Sequence, residues 1–462
     1  MPIIEGDMPV ILLILLFFNI SPVNSLDLPI SRISDDSILR NRLKDSWFLE
    51  TPRNVLSQYT RTEYLQTGER VRVSASEGRD EFIVILSREQ MTGRVESASG
   101  QAGFERRGTG EFPGWAQGSW MLTRNRTTGA GTLIRIFLFS DQFTYIQFRP
   151  LDADKCQMDA VLYGAYVTRA LPVAVTFERL YTMPLNDVLK LVEEKFPIRY
   201  FEPDPSVYRD SRVFISKVRE RLRGLRFADD GAIDENGNYV FIETLRRQNP
   251  AFAGLNCSGF TKWLIDGIIR PVTGTRLTIP PLKQPFGIRG SSFTEKWEEI
   301  RDIFFGLDWN RNLAAAANSA LRTPAYGTLE EFEVRRDNFA FIIVNENRRF
   351  VDQSYPGFLL DAGYGVEGLR PLLYTLAIDD PYSFYLAAVN MEVANNQSRT
   401  GNPRLRQYFH VAALVPYFDE YGAFRVVVFE SAAETSFNAF RNRHAGRFVN
   451  LVQIPVRTEF DP

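Results

Sequence analysis

The sequence predicts an α+β protein, with an N-terminal antiparallel β domain (a sandwich or barrel) followed by a mixed α+β domain. Three observations predict it. Between Ser46 and Thr182, short runs rich in Val, Ile, Phe, Tyr and Thr recur, punctuated by Gly, Asp and Pro. From 183 to 226 the apolar spacing becomes helical. Beyond Phe227, helical and strand patterns alternate to the end of the 462 residues, a length that suits two or three domains.

Residues 1–25 read as a signal peptide. Val10 to Ile20 is almost unbroken apolar sequence, the length of a signal h-region and too short to span a bilayer. Val23 and Ser25 supply small residues for cleavage after Ser25. Glu5 and Asp7 stand where basic residues are usual, and a start at Met8 would remove both. The alternative is an uncleaved anchor. No later segment is apolar enough for a stable membrane span, so an exported protein, periplasmic or extracellular, is expected. A polar lead, 26–45, follows.

In the β region, 46–182, strands are expected over 80–87, 132–140, 143–150, 159–168 and 173–182. Trp115 and Trp120 lie in a Gly-rich stretch there, as core or turn residues or as platforms for sugars. The connecting region, 183–226, holds two helices. In the second, Phe214, Val218, Leu222 and Leu225 form one stripe, and Arg212, Lys217, Arg219, Arg221, Arg223 and Arg226 crowd the other sides. That face is either simply solvated or a contact for an anionic polymer. The net charge of −2 gives no global pointer to nucleic acid.

The C-terminal region, 227–462, carries the candidate chemistry. Helices are expected over 294–305 and 310–321, and strands over 339–345, 410–416, 424–429 and 448–455. In Leu255-Asn-Cys-Ser-Gly-Phe260 a helix can begin at Cys257 or Ser258. A thiol there meets unpaired N–H groups and the positive end of the helix dipole, which favour a thiolate and can receive an oxyanion. The plain alternative is a small buried Cys opening an ordinary helix.

The chain has two histidines and two cysteines, Cys156 and Cys257. The cysteines could instead form one bridge. His444 lies in an Arg-rich stretch that reads as surface. His410 opens an apolar strand, as a base for the thiol or as a satisfied structural His. If that strand pairs with 423–431 as a hairpin, His410 falls opposite Glu430 or Ser431. A carboxylate would both orient the ring and stabilise the imidazolium, which favours Glu430. No ligand spacing suggests a metal, and no cofactor motif is present.

Cys-Ser-Gly-Phe opening a helix and His-Val-Ala-Ala-Leu opening a strand resemble the NlpC-type cysteine peptidases, papain-like bacterial cell-wall hydrolases. The resemblance covers roughly 227–455. It implies a papain-like α+β domain cleaving peptide or amide bonds in peptidoglycan stems. Cys257 would be the nucleophile, His410 the base and Glu430 the third residue, with Tyr239 and Ser258 as candidates for substrate or oxyanion binding.

The departures are Asn256 for the usual Asp, Val-Ala after His410 for Val-Gly, and Tyr239 lying further upstream than usual. The wide gap between Cys257 and His410 also departs, and implies an insertion over 268–407. Within it, Gly306 to Asn312 is a polar-aromatic stretch that either faces the cleft or is a helix start with a packed Trp. Asn256-Cys257-Ser258 is formally a glycosylation sequon, as are those at Asn125 and Asn396. A glycan at Asn256 would block the thiol, which favours a bacterial source. The competing expectations are a non-catalytic wall-binding or scaffold protein that keeps the fold, and a related thiol enzyme acting on another acyl substrate.

Overall fold

A computed structural model describes residues 27–96, 103–286, 303–324, 327–336, 340–344, 350–354, 357–360, 362–394 and 404–462. The signal peptide, the sequon at Asn396 and most of the helix expected over 294–305 lie outside these residues. The chain divides into two compact units, one of residues up to 28 with 33–142, the other of 29–32 with 143–462.

The first unit starts with two short helices, α1 (Ser37–Leu43) and α2 (Pro52–Leu56). Seven strands follow: β1 (Arg61–Tyr64), β2 (Arg70–Glu77), β3 (Glu81–Arg88), β4 (Met91–Glu96), β5 (Gly103–Gly108), β6 (Trp120–Asn125) and β7 (Gly131–Phe137). Strands β1, β2, β3, β6 and β7 pair antiparallel in that order, and β4 with β5 makes a separate ribbon. Val71, Val73, Phe82, Val84, Leu86, Trp120, Leu122 and Ile134 are buried at alternate positions, the period-two pattern of a half-covered sheet. Trp47 and Phe48 complete that core. Trp120 is therefore a core residue, with the Arg40 guanidinium 5.5 Å from its ring centre. Trp115 is half-buried in the turn before β6.

The second unit opens with β8 (Tyr145–Pro150), β9 (Cys156–Leu162) and β10 (Ala165–Val173). The single strand expected over 159–168 is two strands. Tyr163 and Gly164, both at positive φ (48° and 86°), form the two-residue turn between them. Helices α3 (Leu185–Lys190) and α4 (Arg209–Leu222) lead to a small hairpin, β11 (Gly231–Ile233) with β12 (Tyr239–Phe241). Then come α5 (Cys257–Thr273), α6 (Ile279–Leu282), α7 (Phe305–Leu321), α8 (Leu329–Phe332), β13 (Ala340–Val344) and β14 (Phe350–Ser354). The unit closes with β15 (Tyr364–Gly365), α9 (Leu369–Asp379), β16 (Ser383–Ala394), β17 (Arg404–Phe418), β18 (Phe424–Glu430), β19 (Ala433–Ser436), α10 (Phe437–Arg443) and β20 (Phe448–Pro455).

The boundary between compact units falls near 142, not at the expected 182. Strand β10 pairs with β13, Ala165 opposite Phe341, so strands on both sides of 182 share one sheet. Such long-range pairing leaves no local mark in sequence.

A six-stranded antiparallel sheet, ordered β15-β20-β16-β17-β18-β19, organises the rest. Alternate residues serve two cores. Leu386, Ala413, Val415, Phe429 and Val452 pack with α4, α5 and α7. Ala387, Ala412, Leu414, Val428 and Leu451 pack with α9 and α10. Strand β16 is hydrogen-bonded on both sides, to β20 and to β17. The stretch 268–407 thus supplies a central strand and two packing helices. These described elements are part of the core, not an insertion laid over a complete domain.

Candidate active site

Asn256, in extended conformation, caps α5, its Oδ1 accepting from the Gly259 N–H at 2.8 Å. Cys257 is therefore the first helical residue. Gly259 lets the helix approach β11 closely, for a Cβ there would stand 1.9 Å from the Gly231 carbonyl oxygen. The Cys257 side chain is half-buried and packs against a small apolar cluster that includes Phe304, Leu307 and Val411. Cys156 is also free, so no bridge joins the two.

His410 sits at a bulge in β17, where Val389 opposes His410 but Asn390 opposes Tyr408. Bulges re-aim side chains beside a regular ladder. The ladder between β17 and β18 ends at Ala413 with Phe429. Continued, it would set Ala412 opposite Glu430, so Glu430 is a diagonal neighbour of His410, not the directly opposite residue expected. The carboxylate closes the gap: His410 Nε2 and Glu430 Oε2 are 2.6 Å apart. Ser431 lies instead in a left-handed turn (φ 49°) leading to β19. Arg443 donates to the other oxygen, Oε1, at 2.7 Å, and Glu430 is buried.

With Nε2 engaged by Glu430, the opposite edge of the ring is left for the thiol. Burial opposes a charged ring at His410, but its bonds to Cys257 and Glu430 prevail and raise it to about 9. Burial likewise opposes a thiolate. The bond to His410 and its charge, the Val411 N–H and the Ser258 hydroxyl outweigh that opposition and hold Cys257 below the usual thiol range. At Glu430, burial is outweighed by His410 and Arg443, which bring the carboxyl down to about 2. Cys156 is the contrast: burial first, then Glu178 and Asp152, push it up to about 12.

Ser258 is buried beside Cys257, and its carbonyl accepts from Trp309 Nε1 at 2.9 Å. Trp309 is fully buried, so the stretch 306–312 is a packed part of α7. Tyr239 packs against the core beneath α5, whereas the groups acting most on the thiol are His410, Val411 and Ser258. On α4, Arg219 is paired with Glu434 and Arg212 with two carbonyls, so part of that basic face is engaged.

His444 reverses its expectation. It is buried, and its ring stacks on His410 with centres 5.4 Å apart at 25°. The Arg-rich stretch is the end of α10. His444 turns inward onto Phe440 of that helix, while Arg443 and Arg447 stay accessible. The helical spacing of Phe437, Phe440 and His444 was the available signal. His410, Glu430 and His444 bring three potential ligand atoms within 4.8 Å of one another. Arg443 on Glu430 and Arg447 on His444 put two guanidinium groups beside the same space, which opposes an added cation.

Residues 29–200 match the model of a family described as a domain of unknown function (DUF8515). The match covers less than half of the chain and ends before Cys257. No curated protein and no solved structure gives a match. No helix among the described residues is long and apolar enough to cross a membrane.

Proposed function

We propose that the protein is an exported, papain-like cysteine hydrolase that cleaves peptide or amide bonds in bacterial cell-envelope peptides such as peptidoglycan stems. The observation that carries this reading is the hydrogen-bonded chain Cys257–His410–Glu430, with the thiol at a helix N-terminus. The Cys257 thiolate attacks the scissile carbonyl carbon, and first-turn N–H groups of α5 receive the oxyanion. His410 gives its proton to the departing amine, leaving a thioester on Cys257. It then takes a proton from water, whose oxygen attacks the thioester and releases the acid and the thiol. Glu430 holds the ring and offsets its charge.

The test is to incubate the purified protein with peptidoglycan and analyse soluble fragments by mass spectrometry. Stem-peptide fragments should appear, Cys257→Ser should release none, and His410→Ala should be slower by about 10²–10⁴-fold. In parallel, Cys257 should alkylate with iodoacetamide below neutral pH, about tenfold or more faster than Cys156. Absent fragments with matching profiles for the two thiols would establish the scaffold reading. Absent fragments with a reactive Cys257 would point to another acyl substrate.

A further inference from the structure

We propose that His444 is a positioning residue of this site, holding the His410 ring by its face as Glu430 holds it by its edge. The inference rests on the hydrolase reading of Cys257 and His410. His444 is 3% exposed, with Phe440 edge-on at 4.7 Å and Phe409 at 6.0 Å. An aliphatic or phenyl side chain would fill that apolar setting with no polar atoms to satisfy. The imidazole instead engages Arg447, whose Nη1 lies 3.1 Å from His444 Nδ1. A guanidinium only donates, so Nδ1 accepts and the ring is neutral, with its one proton on Nε2. That Nε2 is buried and has no hydrogen-bond partner.

A neutral ring stacked on His410 does two things. It blocks rotation of the His410 ring out of the plane shared with Glu430 and the thiol. It also offers its π face, not a second cation, to the His410 imidazolium. The groups facing His444 are His410 from β17, Glu430 from β18, Arg443 on its own helix and Arg447 just beyond it. Apart from Glu430 they oppose a proton on His444, and burial opposes it most.

Because the chain has only these two histidines, ring ¹⁵N NMR of the intact protein can read both. Near neutral pH, His444 should give the neutral Nε2–H signature and His410 the imidazolium signature. Iodoacetamide labelling of Cys257 should be at least about threefold slower at about pH 6 in His444→Ala than in the native protein. His444→Phe, which keeps a ring on His410, should stay within about twofold of the native rate. An unchanged rate in His444→Ala, or equal loss in both variants, overturns the proposal. If His444→Ala does not fold, an imidazolium or Nδ1–H signature for His444 in the native protein overturns it just as well. Failure here with a reactive native Cys257 leaves the hydrolase reading standing, whereas a native Cys257 that labels like Cys156 ends both.

Discussion

At the residue scale, three groups tie stability to acid. Cys257 is held below its ordinary 9.0, Glu430 lies near 2 against 4.5, and His444 near 4 against 6.5, burial being the main cause for His444. Each binds fewer protons folded than unfolded as pH falls, so each contribution is present at higher pH and lost on acidification. His410, raised from 6.5 to about 9, has the opposite sign. His410 therefore loses its contribution as pH rises from about 6.5 through 9, whereas Cys257 loses its own as pH falls below 9.0, so the two partners oppose each other. The midpoint of thermal unfolding should decline as pH falls from about 6.5 to 4, where His444 acts. His444→Phe should make that decline shallower, because it removes a side chain that takes up a proton on unfolding; an unchanged slope would mean that His444 is charged when folded.

At the element scale, α5 is set by its first turn. Asn256→Ala removes the cap on the Gly259 N–H and should cost about 1 kcal/mol in denaturant unfolding, with Cys257 still in place. Gly259→Ala is a different case. The added methyl meets backbone atoms of Gly231 and Ala232, so the helix start must shift away from β11. A loss of about 1–3 kcal/mol is expected, together with slower labelling of Cys257 at low pH as the thiol leaves His410. Stability loss with an unaltered labelling profile would show that the clash is absorbed in β11 instead. The asymmetry follows from reach: Asn256 loses one hydrogen bond, whereas Gly259 moves the element.

At the scale of the second unit, buried charge links the helical layer to the sheet. Arg311 of α7 and Glu333, both almost fully buried, are paired at 3.1 Å, and Asn450 of β20 donates to the same carboxylate at 3.0 Å. Arg311→Ala should cost about 1–3 kcal/mol in denaturant unfolding, because Glu333 loses one charged partner but keeps Arg335, at 2.7 Å from its other oxygen, and Asn450. Arg311→Ala with Glu333→Ala should be less costly than the sum of the two single changes. Because β16 lies between β20 and β17, removing 268–407 should abolish folding of this unit, read by loss of a cooperative transition. A deletion that still unfolds cooperatively would mean that β20 can pair directly with β17.

By itself the sequence determined the mixed α+β character, most of the strand runs, the α4 stripe and the helix start at Cys257. These depend on apolar period and capping chemistry, which are local. His410 and Glu430 were also legible, because a polar residue at each end of two apolar strands joined by a short turn must face some common partner. The tertiary structure decided what depends on distant parts of the chain. It set the unit boundary near 142 through the β10–β13 pairing, made 268–407 part of the core, and offset Glu430 diagonally from His410. It also brought His444 onto the His410 ring: an Arg-rich segment looks solvated from its composition, but a short helix lying on a sheet turns one side inward, and only the packing selects which side chain that is.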